Sequence, residues 1–328
     1  MTVMVTGGAG YIGSHMVLAL AEAGEDVVVL DNLVTGFDWA IEGRASFELG
    51  NAGDIDRVSE VIKRYGVSEI IHFAGSIVVP ESVVDPLKYY GNNTAVSRNL
   101  LEAAVRGGVK HFIFSSTAAV YGMTGLAPVV ETTPLSPMSP YGRSKLMTEM
   151  MLADVAATHP MTYGVLRYFN VAGADPGKRT GQSTPEASHL IKVACQTALG
   201  QRGYMSIFGT DFETPDGTGV RDYIHVSDLI AAHVLLLKRL RDGGGSTTIN
   251  CAYGQGYSVR QVVDAVRAVS GVDFRADEQP RRPGDPASVT ATGEKARQLL
   301  GWVPRFDDLQ TIVSTAFAWE KHLMVRNN

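Results

Sequence analysis

The sequence predicts an α/β fold: a doubly wound parallel sheet followed by a smaller C-terminal α/β lobe. Three observations carry this. Short β-rich runs alternate with amphipathic helical stretches through the first half. Those runs are apolar nearly throughout, as strands covered on both faces must be. Three glycines spaced G-x-x-G-x-x-G (Gly7, Gly10 and Gly13) follow the first run and open the first helical stretch.

In chain order, strands are expected at residues 2–6, 26–31, 46–49, 69–73, 111–115 and 162–168. Helices are expected between them near 12–23, 55–65, 87–105 and 140–157. The spacing of β-run, helix and next β-run is that of right-handed parallel crossovers. After Gly173 the rhythm breaks into Gly/Pro/Thr-rich loops with helices near 185–199, 227–241, 258–269 and 309–322. The expected division is a nucleotide-binding domain over 1–175, to which segments near 226–254 can return, and a substrate lobe over 176–328. The run of three glycines at 243–245 reads as a turn.

Composition narrows the function classes. An apolar fraction of 45% and a charged fraction of 19% are those of a globular protein. The balance of 29 basic and 34 acidic side chains gives −5, with no Lys/Arg run, so neither nucleic acid nor a membrane surface is expected as partner. Cys195 and Cys251 stand alone, without Cys-x-x-Cys or a His cluster at ligand spacing. No metal is therefore expected, and a reducing cytoplasmic compartment is. The first residues read as a strand rather than a signal peptide, and no apolar stretch approaches the ~20 residues of a membrane span.

The glycine turn has the context a dinucleotide site requires. Glycine lets the backbone turn tightly and lets first-turn amides approach a pyrophosphate. This is the Rossmann arrangement, with Tyr11 and Ile12 supplying amides beside the glycines. Asp31 ends the second strand about 20 residues on, with Asn32 beside it. A carboxylate there accepts from ribose hydroxyls and repels a 2′-phosphate, so NAD is expected over NADP.

Tyr141 and Lys145 lie at i and i+4 on the helix expected at 140–157, following Ser115, Ser116 and Thr117 at a strand end. An ammonium beside a phenol lowers its pKa and makes it a usable base. Such a base removes a hydroxyl proton while hydride leaves the same carbon.

With these residues in place, the chain resembles the extended short-chain dehydrogenase/reductase family, and within it the UDP-glucose 4-epimerases. The resemblance runs from residues 5–15 (VTGGAGYIGSH) to Trp302. Its most specific stretches are 72–75 (HFAG), 89–93 (YYGNN), 139–145 (SPYGRSK), 167–170 (RYFN), 217–226 (GTGVRDYIHV) and 281–285 (RRPGD). The resemblance implies NAD-dependent 4-epimerisation of a UDP-hexose through a 4-keto intermediate. Tyr141 would be the base, Lys145 its partner on the nicotinamide ribose, and Thr117 the relay to the sugar 4-hydroxyl. Thr117 stands where many relatives carry serine and keeps the hydroxyl. Phe73, Ala74, Gly75, Asn92, Ser115 and Tyr168 map to the cofactor side. Asn170, His189, Leu190, Phe208, Arg221, Arg282 and Asp285 map to the UDP sugar, where guanidinium forks suit the diphosphate. A homodimer is implied, pairing helices near 93–105 and 140–157.

Ala118 and Ala119 stand where related dehydratases and decarboxylases place carboxylates. Alanine moves no proton, which disfavours both reactions. Ile77 replaces a lysine that reaches the cofactor in some relatives, and Asn51 or Asp54 is expected beside adenine. Val289 falls where a tyrosine narrows the sugar pocket of glucose/galactose-restricted relatives, so UDP-N-acetylglucosamine and UDP-N-acetylgalactosamine are expected to fit. Two rivals remain: a 4-epimerase of a UDP-pentose or UDP-uronic acid, and a non-enzymatic NAD(H)-binding sensor.

Overall fold

The computed structural model describes residues 1–123, 125–185, 188–282 and 285–326. Strands β1 (Thr2–Thr6), β2 (Asp26–Asp31), β3 (Ser46–Leu49), β4 (Val67–His72), β5 (His111–Ser115) and β6 (Thr162–Tyr168) form a parallel sheet. Past β7 (Asn170–Ala172), β8 (Met205–Phe208) and β9 (Val220–His225), a late strand, β10 (Thr247–Cys251), pairs with β6 at its edge. The spatial order is β10-β6-β5-β4-β1-β2-β3. Chain direction across the sheet reverses between β1 and β4, and a crevice opens at their carboxyl ends, where open α/β sheets bind ligands.

Side-chain alternation divides the core in two. Val3, Val5, Val27, Val29, Ile71 and Ile113 face α1 (Tyr11–Glu22). Met4, Val28, Ile70, Phe112 and Phe114 face the other way, onto α2 (Ile55–Tyr65) and, after the short helices α3 (Val79–Val84) and α4 (Pro86–Tyr89), onto α5 (Val96–Arg106) and α6 (Pro140–Thr158). Burying each such Val, Ile or Phe is worth roughly 1.5–3 kcal/mol. Beside α1, helix α8 (Val226–Arg241) covers β5 and β6, and α7 (Leu190–Ala198) and α9 (Val259–Ser270) join the same cluster with residues of α10 (Glu294–Leu300) and α11 (Leu309–Arg326).

In the lobe β9 is central. It pairs antiparallel with β11 (Gly256–Ser258), and parallel with β7 and, past β12 (Ala276–Gln279), with β13 (Ser288–Val289). The strands β8 and β12 form a separate parallel pair.

Three expected elements differ, one of them the helix expected near 185–199, which begins at Leu190 as α7. The fourth strand is β4, two residues earlier than 69–73, and Phe73 already leaves the sheet. The helix expected over 87–105 is broken: Asp85 and Pro86 restart it as α4, and residues Tyr90–Ala95 form a π-helical turn before α5. The extra residue per turn swings Asn93 inward, where it is buried. Asp54, weighed with Asn51 for adenine, caps α2 by accepting from the Arg57 amide at 3.0 Å.

Candidate active site

The crevice floor is backbone. Gly7 has φ +72°, and a Cβ there would lie 2.6 Å from the Ala74 nitrogen. A Cβ on Gly13 would come within 2.1 Å of the Gly7 oxygen. The turn after β1 and the Phe73–Gly75 segment after β4 therefore touch, which only glycine permits. Gly10 starts α1 with no side-chain cap among the described residues, leaving the amides of Tyr11 and Ile12 at an uncapped helix N-terminus. Asp31 stands at the rim: its Oδ2 accepts from the Ala9 amide at 2.9 Å and its Oδ1 from the Leu33 amide at 2.8 Å. Asn32 lies beyond it, accepting from the Val34 amide at 3.2 Å. A bare amide turn beside a fixed carboxylate fits a dinucleotide.

The Tyr11 side chain has a different task. Its phenol donates to the Gly173 carbonyl at 2.6 Å, tying α1 to the chain entering the lobe. Ser14 and Thr180 add a 2.6 Å hydroxyl pair to the same seam.

The opposite wall carries the candidate chemistry. Ser139 caps α6 by accepting from the Gly142 amide at 3.1 Å, with Pro140 as first helical residue. Gly142 packs so tightly that a Cβ would sit 2.6 Å from the Ala119 carbonyl oxygen, which brings the helix start against the end of β5. Tyr141 thereby comes to face Thr117, close enough for the Thr117 hydroxyl to act on its phenol. Burial raises the Tyr141 phenol above its usual range, and the Thr117 hydroxyl opposes this. Lys145 does not hydrogen-bond Tyr141. Its ammonium donates to the Ser115 carbonyl at 2.9 Å, beside Gly75 and 4.8 Å above the Phe114 ring centre. Burial lowers Lys145 to about 8, with the nearby Glu149 carboxylate acting against the fall. The expected lowering of the phenol by the ammonium is thus not the dominant effect in the protein alone, because desolvation of Tyr141 is larger.

Ser115 Oγ hydrogen-bonds the Tyr168 phenol beneath this wall, with the Tyr168 ring edge-on to His233 and the Phe73 ring 5.1 Å from the same imidazole. Asn92 is exposed at the rim and donates to Ser76 Oγ at 3.1 Å. Its neighbour Asn93, which sequence reasoning passed over, bonds the Ser76 backbone on both sides and Ser144 Oγ. Ile77 is exposed.

The remaining expected residues lie on or beside β7, α7, β8, β9 and β13. Asn170, on β7, donates to the Asp222 carbonyl at 3.3 Å. His189 and Leu190 start α7, and His189 Nδ1 is buried without a partner among the described residues. Its imidazole is depressed by burial and by Lys192. Arg282 stacks 3.9 Å over the Phe208 ring. Arg221 forms a 2.6 Å ion pair with Asp285. Val289 lies beside Arg221 in the β9–β13 register.

Residues 3–252 match the NAD dependent epimerase/dehydratase family. The chain belongs to it. A UDP-glucose 4-epimerase of Azospirillum brasilense is 54% identical over 98% of this chain and 92% of its own length. Among solved structures, UDP-glucose 4-epimerase from Brucella ovis in complex with NAD superposes with a TM-score of 0.94 at 41% identity, covering 97% of both chains. The UDP-Glc/GlcNAc 4-epimerase of Campylobacter jejuni gives a TM-score of 0.86 at 45% identity, covering 98% of this chain and 99% of its own.

Missed by sequence reasoning were Glu149 and Arg167, a buried pair under the Ser115–Thr117 strand end. Arg167 lies in a stretch that carried the resemblance, but nothing local links it to a glutamate 18 residues away.

Proposed function

We infer that this chain is an NAD-dependent UDP-hexose 4-epimerase, an isomerase interconverting UDP-glucose and UDP-galactose. The observation that carries the reading is the Tyr141–Thr117 hydroxyl pair facing the glycine-turn crevice, with the Lys145 ammonium behind it. The glycine turn, Asp31 and Lys145 would hold NAD, which would supply a hydride acceptor and donor at the sugar C4. Tyr141 accepts the 4-hydroxyl proton as hydride departs and gives it back on return. Thr117 bonds that hydroxyl and relays the proton. Lys145 supplies positive charge to stabilise the phenolate, and with Asp31 and the glycine turn it holds the cofactor. Ala118 and Ala119 offer no second acid or base, consistent with epimerisation and not elimination.

Arg221, Arg282, Phe208 and Asp285 are proposed to hold the UDP moiety, with Asn170, His189 and Leu190 lining the approach. The guanidinium over Phe208 offers an aromatic face and a fork to the nucleotide. Val289, smaller than tyrosine, supports room for a 2-N-acetyl group. We also propose a homodimer: Val83, Val84, Leu87, Met147 and Met150 are exposed on the face where α3, α4 and α6 pack together. The free Cys195 and Cys251 support a cytoplasmic site.

The test is a coupled assay with UDP-galactose and UDP-N-acetylgalactosamine, with and without added NAD. Turnover of both supports the epimerase and the open pocket. Turnover of UDP-galactose alone discards the pocket argument. Turnover of neither with NAD present moves the assignment to a UDP-pentose or UDP-uronate, or to an NAD(H) sensor.

A further inference from the structure

Tyr141, Lys145 and Glu149 stand at i, i+4 and i+8 along α6, forming one stripe aimed at the end of β5. The first two meet Thr117 and the Ser115 carbonyl. The third takes the residue between them: Ser116 Oγ donates to Glu149 Oε1. Of three successive residues at the strand end, Ser115 and Ser116 are hydrogen-bonded by successive turns of this helix and Thr117 faces the turn before them.

Glu149 is itself fixed from β6. Arg167 donates to it through Nε at 3.0 and 3.2 Å and through Nη2 at 2.5 Å. Both side chains are 6% exposed. Arg167 Nη1 donates onward to the Tyr121 phenol at 3.1 Å, and that phenol to Asn250 Oδ1 on β10 at 2.6 Å. The carboxylate therefore cannot swing, and both its oxygens are engaged. A buried pair of this kind gives little net stability against an apolar pair of the same volume, so packing alone is a weak account of it.

The groups facing Lys145 show what else it can serve. From α6 come Tyr141 and Glu149; from β4, His72; from β5, the Ser115 carbonyl and the Phe114 ring; from β6, Arg167 behind Glu149 and the Tyr168 phenol on Ser115. His72 is neutral, because burial pushes its imidazole down to about 3. Glu149 is the carboxylate in this set.

Building on the epimerase reading above, we propose that Glu149, clamped by Arg167, is a positioning residue of the reaction. It holds the strand end that presents Thr117 to Tyr141, and its negative charge keeps Lys145 in the ammonium form at neutral pH. Lys145 sits near 8 with Glu149 present, so loss of that charge moves its titration down into the working range.

The experiment compares the unchanged protein with Glu149→Gln, Glu149→Asp and Ser116→Ala in two readouts. One is the pH profile of UDP-galactose turnover. The other is pulse acetylation of Lys145 with acetic anhydride, followed by mass spectrometry across pH, which reports the neutral amine without any turnover. In Glu149→Gln the acetylation midpoint and the alkaline limb of kcat are expected to fall together by about one pH unit. Glu149→Asp, which keeps the charge, is expected to hold both near the unchanged values. Ser116→Ala, which spares the ion pair, is expected to lower kcat about tenfold with the limb unmoved and KM within about twofold. A folded Glu149→Gln with unmoved midpoint, or Glu149→Asp and Glu149→Gln behaving alike, overturns the electrostatic role. Unaltered kcat in Ser116→Ala overturns the positioning role. If Glu149→Gln does not fold, Glu149→Asp and Ser116→Ala decide: the proposal needs the first to keep the Lys145 midpoint and the second to lower kcat. Absence of turnover in the unchanged protein refutes the epimerase reading instead, and the acetylation midpoints still report on Glu149.

Discussion

The Tyr11 phenol and the Gly173 carbonyl lie 2.6 Å apart across 162 residues of chain. This bond fastens the first turn of α1, beside the pyrophosphate cradle, to the point where the chain enters the lobe. Tyr11→Phe keeps the ring and removes the donor, leaving a partly buried carbonyl unpaired. A loss of about 1 kcal/mol in stability is expected, together with faster NAD loss. Thermal melts and the NAD content after gel filtration check both.

Tyr141→Phe removes the hydroxyl that faces Thr117 while leaving α6 capped by Ser139. Turnover of UDP-galactose is expected to fall by about 10³-fold with NAD content unchanged, the range of a lost general base. A sensor would keep its NAD(H) response in this variant, and a comparison of turnover with NADH-dependent fluorescence separates the two.

Asp31→Asn turns an acceptor-only carboxylate, already taking amides from Ala9 and Leu33, into a group that must present one NH₂ in their company. NAD affinity is expected to drop about 10- to 100-fold, as for a lost charged hydrogen bond, with discrimination against NADP reduced. Titration of each dinucleotide into the cofactor-depleted protein measures both.

Arg282→Ala removes the cation stacked at 3.9 Å on Phe208. If the pair clamps the nucleotide and takes no part in hydride transfer, KM for UDP-galactose rises about tenfold and kcat stays within about twofold. A fall in kcat at constant KM would contradict the assignment.

Stability should decline below pH 6.5. His15 and His233 are pushed down to about 4 by burial, and His72 and His225 to about 3. These imidazoles bind protons more readily when unfolded than when folded, so acid favours the unfolded chain between pH 6.5 and about 3. Asp222 opposes this: burial raises its carboxyl to about 7, so over pH 4 to 7 the folded state holds the extra proton. Four groups outweigh one, and the melting temperature is expected to fall between pH 6.5 and 4.5, more steeply in Asp222→Asn.

Much of the sheet was legible because parallel strands and their helices carry local signals. Five of six expected strands, from Thr2–Thr6 to Thr162–Tyr168, have the expected bounds. The fourth starts at Val67, directly after the left-handed Gly66 that ends α2, a stop signal that the expected start at residue 69 did not use. The break in the helix expected over 87–105 was less legible, since a π-turn at Tyr90–Ala95 is set by how Asn93 packs on Ser76 and Ser144. The lobe strands were harder still: β13 is two residues long and exists only through pairing with Val220 and Arg221.

Residue type and near spacing therefore determined the α/β class, the glycine turn, the Asp31 carboxylate and the Tyr141–Lys145 pair, to which the family resemblance added Thr117. All but Thr117 rest on interactions within a few residues or on one helical repeat. Tertiary structure alone decided that Lys145 bonds the Ser115 carbonyl, that Glu149 is clamped by Arg167, that Asp285 meets Arg221 and that Arg282 lies on Phe208. Those partners come from different strands and loops. Which charge finds which partner depends on the register of the sheet and on what burial leaves within reach, and no local pattern in the chain encodes that.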